Sequence, residues 1–537
     1  MNKEIDNHEG NGSYVWMKKS DVPTNRKLIK LVWVFKTKRD GTRKSRLCVQ
    51  GCCQTAGVDF NQTFSAALRS TSLRFLASIA SRFGLRLRRW DFVSAYLQGS
   101  LEDGEVVYCH APPGYERCDE DGNPLVCRVV KPIYGMAQAG RRWQRSLFPW
   151  LKEFGFTQCD YDSCMFYMTR GNEKLYLGCY VDDLAIAYDS DAEGSLYSDF
   201  VRALQAWKVE DEGEMHDLLG VEFSNADGVV EMKQTAYITK LVNTYLPDGV
   251  PESFQSNKRP CNSDLAQLVA DALSSDEERS ASEIRNYQSL VGALLYCATN
   301  TRPDVAYSVG MLCRAMAKPT PELMAAAQRV LMYLYRTRDL GLRYECDKAN
   351  LFGMTDSDWA VKHSTSGYVF KFCQAAISWA SKKQPTVALS SCEAEIMAAS
   401  EATKEAVYLS RLSQELGVSD DSPLSLHCDN RSATDVAYNP EHFGRMKHVE
   451  RRHFYVRECV ENHLINVPFV RTDDNIADFF TKALESKRFF RLRDSIMNIA
   501  PEHRACRASA GPPSKSPRAG LRGGVVTGQP AHAQLHT

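Results

Sequence analysis

Leu175-Tyr-Leu-Gly-Cys-Tyr-Val-Asp-Asp-Leu-Ala-Ile-Ala-Tyr188 is the stretch from which the fold of this chain is read. Two apolar, β-prone runs enclose the adjacent carboxylates Asp182 and Asp183, which predicts a β-hairpin with both acids at its tip. A two-residue hairpin loop favours Asn-Gly or Asp-Gly, so Asp-Asp is a poor choice for a plain turn. Like charges beside apolar strands also repel each other and resist desolvation. A bound divalent cation removes both objections, because Mg²⁺ is a hard ion that prefers carboxylate oxygens. The competing reading is an exposed acidic turn.

Composition sets the outer bounds. The 537 residues suffice for two to four domains, and 44% hydrophobic with 25% charged content is that of an ordinary soluble globular protein. No apolar run approaches a membrane span and the polar N-terminus is unlike a signal peptide, so no membrane partner is expected. The 18 cysteines are scattered without a CxxC pair, which predicts reduced thiols in an intracellular protein, in a cytoplasmic particle or the nucleus. Lys+Arg and Asp+Glu balance at 66 each, but residues 26–50 hold nine Lys/Arg against the single acid Asp40, whereas 209–214 is acidic. A basic face for phosphates together with acidic metal sites gives such a neutral sum.

Outward from the hairpin, residues 30–50 predict a second hairpin turning at Asp40-Gly41, and 71–84 and 141–155 have helical spacing. Leu85–Asp91 alternates like a strand that ends on an acid. The Ser/Asp-rich stretch 262–283 predicts a linker. Thr320-Pro321-Glu322 reads as a helix start, with Leu323, Ala327, Val330 and Leu334 on the buried face. From about residue 349 strands, a long helix over 392–416 and further α/β elements form a separate unit. Residues 501–537, with ten Gly+Pro and no aromatic residue, are expected to be a disordered tail.

Asp91 ends its strand in Arg89-Trp-Asp-Phe-Val-Ser-Ala-Tyr96-Leu-Gln-Gly99, and only the fold can bring it to Asp182 and Asp183. Three such acids could hold two Mg²⁺ ions, one activating a primer 3′-OH and one neutralising departing pyrophosphate. In one unbroken order the chain shows Trp33-Val-Phe-Lys-Thr-Lys38, Arg46-Leu, Val58-Asp-Phe-Asn-Gln-Thr-Phe64, the Asp91 segment, Pro112-Pro-Gly-Tyr115, Tyr134-Gly-Met-Ala-Gln138, Arg142-Trp143 and Tyr180-Val-Asp-Asp183. These segments resemble the reverse transcriptase of copia-like LTR retrotransposons over roughly residues 4–500.

The resemblance implies an α+β multidomain fold: a lead-in (1–25), right-hand fingers, palm and thumb (26–260), linker and connector helices (261–348), an RNase H-like α/β domain (349–500) and the tail (501–537). It implies that Asp91, Asp182 and Asp183 are the palm metal ligands. Tyr96 matches the aromatic gate against a ribonucleotide 2′-OH. Arg46 matches an arginine on the incoming triphosphate, Lys36 and Lys38 could assist it, and Gln138 matches a glutamine on nucleotide and template. Val209–Phe223 resembles the hairpin that steadies the primer end.

In the C-terminal unit, Thr355-Asp356-Ser-Asp-Trp-Ala360, Ser390-Ser-Cys-Glu-Ala-Glu395, His427-Cys-Asp429-Asn430 and Asn475-Ile-Ala-Asp478 resemble the four acidic motifs of a retroelement RNase H. Asp356, Glu395, Asp429 and Asp478 are thereby implied as ligands of a further Mg²⁺ pair, with Mn²⁺ as substitute, for cutting RNA in an RNA–DNA hybrid. Ser390-Ser-Cys-Glu393 reads as a capping box, which gives Glu393 a structural role and leaves Glu395 as the ligand. His448 and His453 lack paired cysteines at a matching interval, so no zinc is implied.

Ala66, Ala137 and Met354 depart from the family's usual Pro, Lys and aromatic residue, without removing a metal ligand. Protease, integrase and gag zinc-knuckle motifs are missing, so the chain resembles the 3′ end of a pol frame, with integrase and gag supplied separately. The expected function is RNA-directed DNA polymerase with fused RNase H, acting on RNA template, DNA primer, RNA–DNA hybrid and dNTPs. The alternative is a non-autonomous or inactive relic that binds nucleic acid without turnover.

Overall fold

Strand Arg86–Phe92 alternates charged and apolar side chains, and its two faces organise the N-terminal half of the chain. It is flanked by Val209–Glu214 and Asp183–Tyr188 in a six-stranded antiparallel sheet, continued by Glu173–Tyr180, Met165–Arg170 and Thr157–Gln158. Trp90, Phe92, Leu184 and Ile186 face a core built with Trp143, Leu147 and Leu151 of helix Ala139–Phe154 and Phe200 and Leu204 of helix Leu196–Leu204. Leu87, Ala185 and Ala187 face the other way, onto helix Ser70–Phe83. Arg89 and Asp91 share that second face, further along the strand. The computed structural model describes residues 1–37, 41–346, 350–359, 364–420, 422–438 and 450–500.

Residues 1–25 are more than a lead-in. Helix Asn2–Gly10 and strand Tyr14–Lys18 belong to the fold, the strand pairing with Leu125–Val129 in a four-stranded sheet. Strands Leu31–Thr37 and Arg43–Val49 form the expected hairpin, although Lys38 and Asp40 lie outside the described residues. Gly135 makes its seating possible: with φ +87°, any Cβ there would come within 2.2 Å of the Val49 carbonyl.

The predicted linker at 262–283 is largely helical. Helix Leu265–Ser274 buries Leu265, Val269 and Ala272, and Ser280 with Glu283 forms a capping box that opens helix Ala281–Asn300. Ser and Asp there mark helix starts, a positional meaning that composition alone hides. Helix Pro321–Arg336 starts as expected, with Leu323 N–H donating to Thr320 Oγ1. The C-terminal unit has a five-stranded sheet ordered Ala375–Lys383, Thr365–Phe372, Phe352–Asp358, Leu424–Cys428, Ile465–Asn466, crossed by helix Ser391–Glu415. Its first three strands are antiparallel and its last three run parallel.

Helix Ser70–Phe83 is buried on nearly every side, because the C-terminal unit covers the face that the six-stranded sheet leaves free. Arg74 crosses this junction. Its guanidinium is buried over the Trp379 ring and donates to the carbonyls of Ile377, Thr299 and Asn300 at 2.7, 2.7 and 3.0 Å. Tyr176 of the sheet donates to Leu416 O at 3.0 Å across the same boundary. Burial of a charge is tolerated when its donors are satisfied, as they are here by backbone oxygens.

The expectation of uniformly reduced thiols fails at one pair. Cys346 and Cys373 are joined by a disulfide, where the residue after strand Leu342–Glu345 meets the turn between Thr365–Phe372 and Ala375–Lys383. Glu345 N–H donates to Cys373 O at 3.1 Å, which brings the two backbones together. Among the described residues no helix is long and apolar enough to cross a membrane. Residues 501–537, the expected tail, lie outside the described residues.

Truncating Arg74 strands three carbonyls at once, that of Ile377 buried and those of Thr299 and Asn300 part-buried. Arg74→Met is expected to lower stability by about 3 kcal/mol or more in chemical denaturation. A change below about 1 kcal/mol would mean that the junction does not depend on it.

Candidate active sites

At the tip of the hairpin Tyr180 pairs with Asp183, leaving Val181 and Asp182 as the two-residue loop. Val181 has φ +58°, a costly conformation for a β-branched residue, and the surroundings hold it there. Trp143 Nε1–H donates to Val181 O at 2.5 Å, and Phe92 N–H donates to Asp182 O at 2.8 Å. The turn is therefore fixed from the helix on one side and from the Asp91 strand on the other.

Asp91 and Asp183 are directly opposed in the ladder between their strands, so the fold brings together three acids that sequence separates. Burial pushes the Asp91 carboxyl up to about 7, and the charges of Asp182 and Asp183 add to it. Burial also raises Asp183, against the pull of Arg89, whose Nε–H donates to Asp183 Oδ1 at 2.9 Å. The donor set is all oxygen, crowded and short of positive charge, which fits a hard divalent cation. Arg89 and Trp143 were not expected in this site. Arg89 was legible, since it lies two residues before Asp91 and therefore on the same strand face.

Beside the acids, Arg46 lies over the ring of Tyr134 at 4.5 Å, and the Tyr96 ring packs on Tyr134 with centroids 4.8 Å apart. Burial raises the Tyr96 hydroxyl pKa and the charge of Asp182 adds to it. Tyr96 and Arg46 thus share one cluster beside the Asp182 turn. Gln138 does not join it. It is fully buried, with Nε2–H donating to Asp59 O and Oε1 accepting from Gln54 Nε2, both at 3.1 Å. The amide thus fastens residues 54–59, and its place is behind the Arg46–Tyr96 cluster and not in it. Lys36 is exposed opposite Lys44 on the first hairpin, and Lys38 lies outside the described residues.

Val209–Phe223 divides into two parts. Val209–Glu214 extends the six-stranded sheet beside Arg86–Phe92, and the hairpin proper joins Asp217–Leu218 to Val221–Ala226. Its loop, Leu219-Gly220, has φ +53° and +73°, the positive pair of a type I′ turn.

In the C-terminal unit Asp356 sits on the central strand and Asp429 just beyond the end of its parallel neighbour Leu424–Cys428. Helix Ser391–Glu415 contributes Glu395, whose Oε1 accepts from Ser357 N–H at 3.2 Å. Asp478 arrives on the short helix Ile476–Phe480. Gly367, paired directly with Asp356, allows that approach: a Cβ there would meet Phe480 Cβ and Thr481 Cγ2 at 2.8 Å.

Helix N-capping separates the two glutamates. Glu393 N–H donates to Ser390 Oγ at 3.1 Å, and Glu393 Oε2 accepts from Leu389 N–H at 2.7 Å. The reach-back lands one residue earlier than a strict capping box, but it occupies Glu393 with the helix end. Glu395 instead lies with Cys428 and Asp429, their ligand atoms all within 4.8 Å. Its second oxygen, Oε2, is buried without a hydrogen-bond partner.

Burial drives both Asp356 and Glu395 far above the carboxylate range, with Asp478 adding most to Asp356 and Asp356 adding most to Glu395. Thr481 Oγ1–H donates to Asp356 Oδ2. Asp478 is held differently, ion-paired to Lys482 at 2.6 Å and to Arg488. Thr481, Lys482, Arg488 and Cys428 were not foreseen. Thr481 and Lys482 follow Asp478 at helical spacing, a signal that could have found them. His448 and the side chain of His453 lie outside what is described.

Residues 14–249 match the family model described as reverse transcriptase (RNA-dependent DNA polymerase). The chain is 31% identical over 506 residues to the Retrovirus-related Pol polyprotein from transposon TNT 1-94 of Nicotiana tabacum, covering 91% of this chain and 37% of that protein. It is 32% identical over 513 residues to the corresponding polyprotein from transposon RE1 of Arabidopsis thaliana, covering 93% and 34%. The chain thus spans about a third of the length of these curated relatives. A structure of a foamy viral protease-reverse transcriptase with double-stranded DNA aligns over 87% of this chain and 68% of its own, at 11% identity and TM-score 0.49, too loosely to bear on the sites.

Carboxyls whose pKa is raised by folding stabilise the protein while protonated and lose that contribution as pH rises through the folded value. In metal-free protein this loss begins above the ordinary carboxylate range of about 4 and is complete by about pH 7 for Asp91 and Asp356 and by about pH 9 for Glu395. The melting temperature of metal-free protein is expected to fall between about pH 5 and about pH 9, most steeply below about pH 7, and Mg²⁺ to restore more of it at the higher pH. A melting temperature that is flat in pH and indifferent to Mg²⁺ would contradict this.

Proposed function

From its membership of the reverse transcriptases of copia-type retrotransposon Pol polyproteins, we propose that this chain copies RNA into DNA at Asp91, Asp182 and Asp183 and cleaves the RNA of the resulting hybrid at Asp356, Glu395, Asp429 and Asp478. The observation that carries the reading is the direct opposition of Asp91 and Asp183 in the ladder, with Asp182 fixed in the adjoining turn.

Divalent cations, Mg²⁺ or Mn²⁺, two in each site, would lower the pKa of the attacking oxygen and neutralise charge developing on the phosphate. Asp91, Asp182 and Asp183 would hold them in the polymerase site. The strained Val181 turn, pinned by Trp143 and Phe92, keeps the acids in place without reorganisation during turnover. Arg46, braced on Tyr134, offers its fork to the triphosphate of an incoming dNTP. Tyr96, braced on the same ring, presents an aromatic wall where a ribose 2′-OH would have to fit.

In the nuclease site Asp356, Glu395 and Asp429 would supply the oxygen donors, and the unpartnered Glu395 Oε2 is the atom most exposed to the cost of lacking a cation. Lys482 and Arg488 meanwhile ion-pair with the buried Asp478 and hold it in place. RNA template, DNA primer and RNA–DNA hybrid are the partners this chemistry requires.

Asp182→Asn is expected to reduce Mg²⁺-dependent primer extension on an RNA template by at least about 1,000-fold while hybrid cleavage persists. Glu395→Gln is expected to do the reverse. Glu393→Gln should cost about 1 kcal/mol of stability and leave hybrid cleavage within a few-fold. Failure of the unaltered protein to extend any primer would overturn the polymerase assignment, and loss of cleavage in Glu393→Gln alone would overturn the ligand assignment.

A further inference from the structure

A sulfur atom sits among the nuclease carboxylates. Cys428 is the last residue of strand Leu424–Cys428, is fully buried, and lies with its Sγ within 4.8 Å of ligand oxygens from both Glu395 and Asp429. Among the described residues this is the one group of three His, Cys, Asp or Glu side chains drawn so close. Glu395 Oε2 is buried there with no hydrogen-bond partner. Asp429 is half-buried and gives the cluster access to solvent.

We infer that Glu395, Cys428 and Asp429 form a binding site for a thiophilic divalent cation of the Zn²⁺ class, which competes with the hard ion for the same carboxylates. Zn²⁺ binds sulfur at about 2.3 Å and carboxylate oxygen at about 2.0–2.2 Å, so in a tetrahedral set two donors of one ion stand about 3.6 Å apart. Donors already within 4.8 Å need to close by about an ångström, which a turn of the carboxylate side chains supplies. Mg²⁺ gains little from sulfur, whereas a thiolate selects for softer ions, and two carboxylates plus one sulfur leave a fourth position for water. As the metal–sulfur bond forms, the thiol proton passes to solvent and no electrons change hands. Such an ion would hold Glu395 and Asp429 in a tetrahedral set unsuited to the hard-ion pair, so it would inhibit hybrid cleavage.

The test is Cd²⁺ titration of the full-length, reduced, metal-free protein, followed by the ultraviolet sulfur-to-cadmium charge-transfer band, with Zn²⁺ as competitor. Exposed thiols such as Cys52, Cys53 and Cys118 contribute a background that Glu395 cannot influence. The expected result is one band component, displaced by Zn²⁺, that is lost in Cys428→Ser and weakened roughly tenfold or more in Glu395→Gln and Asp429→Asn. A band unchanged by Cys428→Ser, or one lost there but kept in both carboxylate variants, would overturn the inference. Asp429→Asn, at a half-exposed position, keeps the test decisive should Cys428→Ser fail to fold. Binding is read without turnover, so a chain that takes up Cd²⁺ in this way yet cleaves no hybrid sinks the nuclease reading and leaves the site standing.

Discussion

Carboxylates crowded below the surface are the constraint on which the rest of this structure depends. Asp91 and Asp183 face each other across an antiparallel ladder, where opposed like charges are destabilising. Glu395, Asp356 and Asp429 are gathered at the ends of two parallel strands and a helix. Neither group can relax by moving apart, because each acid is fixed by backbone pairing or by a neighbour that has no other place to go. Val181 is held at positive φ by bonds from Trp143 and Phe92, and Gly367 is bare so that the Asp478 helix can close in. The local strain and the missing side chain are the cost of that crowding.

The two sites handle their excess charge differently. In the polymerase half a single cation, Arg89, takes up Asp183 while Asp91 is left raised. In the C-terminal half Lys482 and Arg488 both ion-pair with Asp478, and Lys482 also eases Asp356. Burial, with the neighbouring acids adding to it, still leaves Asp356 raised to about 7 and Glu395 to about 9. A site of this kind has a strong appetite for added positive charge.

Much of this was legible in residue order. The hairpin at 175–188, the strand ending on Asp91 and the helix opened by Thr320 and Pro321 follow from alternation and from N-terminal capping. Glu393 and Glu395 could be told apart because a capping position has its own geometry. The failures share a cause. Ser and Asp at 262–283 were weighed as composition, although Ser280 and Glu283 stood at capping-box spacing. Gln138 is buried and bonded to Gln54 and Asp59, surroundings that sequence does not display. The Cys346–Cys373 bond depends on two chain segments meeting edge to edge, and local sequence carries no mark of such a meeting.

Helix Ser70–Phe83 is walled in by the six-stranded sheet on one side and by the C-terminal unit on the other, with Arg74 donating to three carbonyls outside the helix. Neither half owns that helix alone. Replacing the C-terminal unit with an unrelated one would leave the helix facing a surface to which its side chains are not fitted. A change at the packing face of either half is therefore felt by the other through that helix.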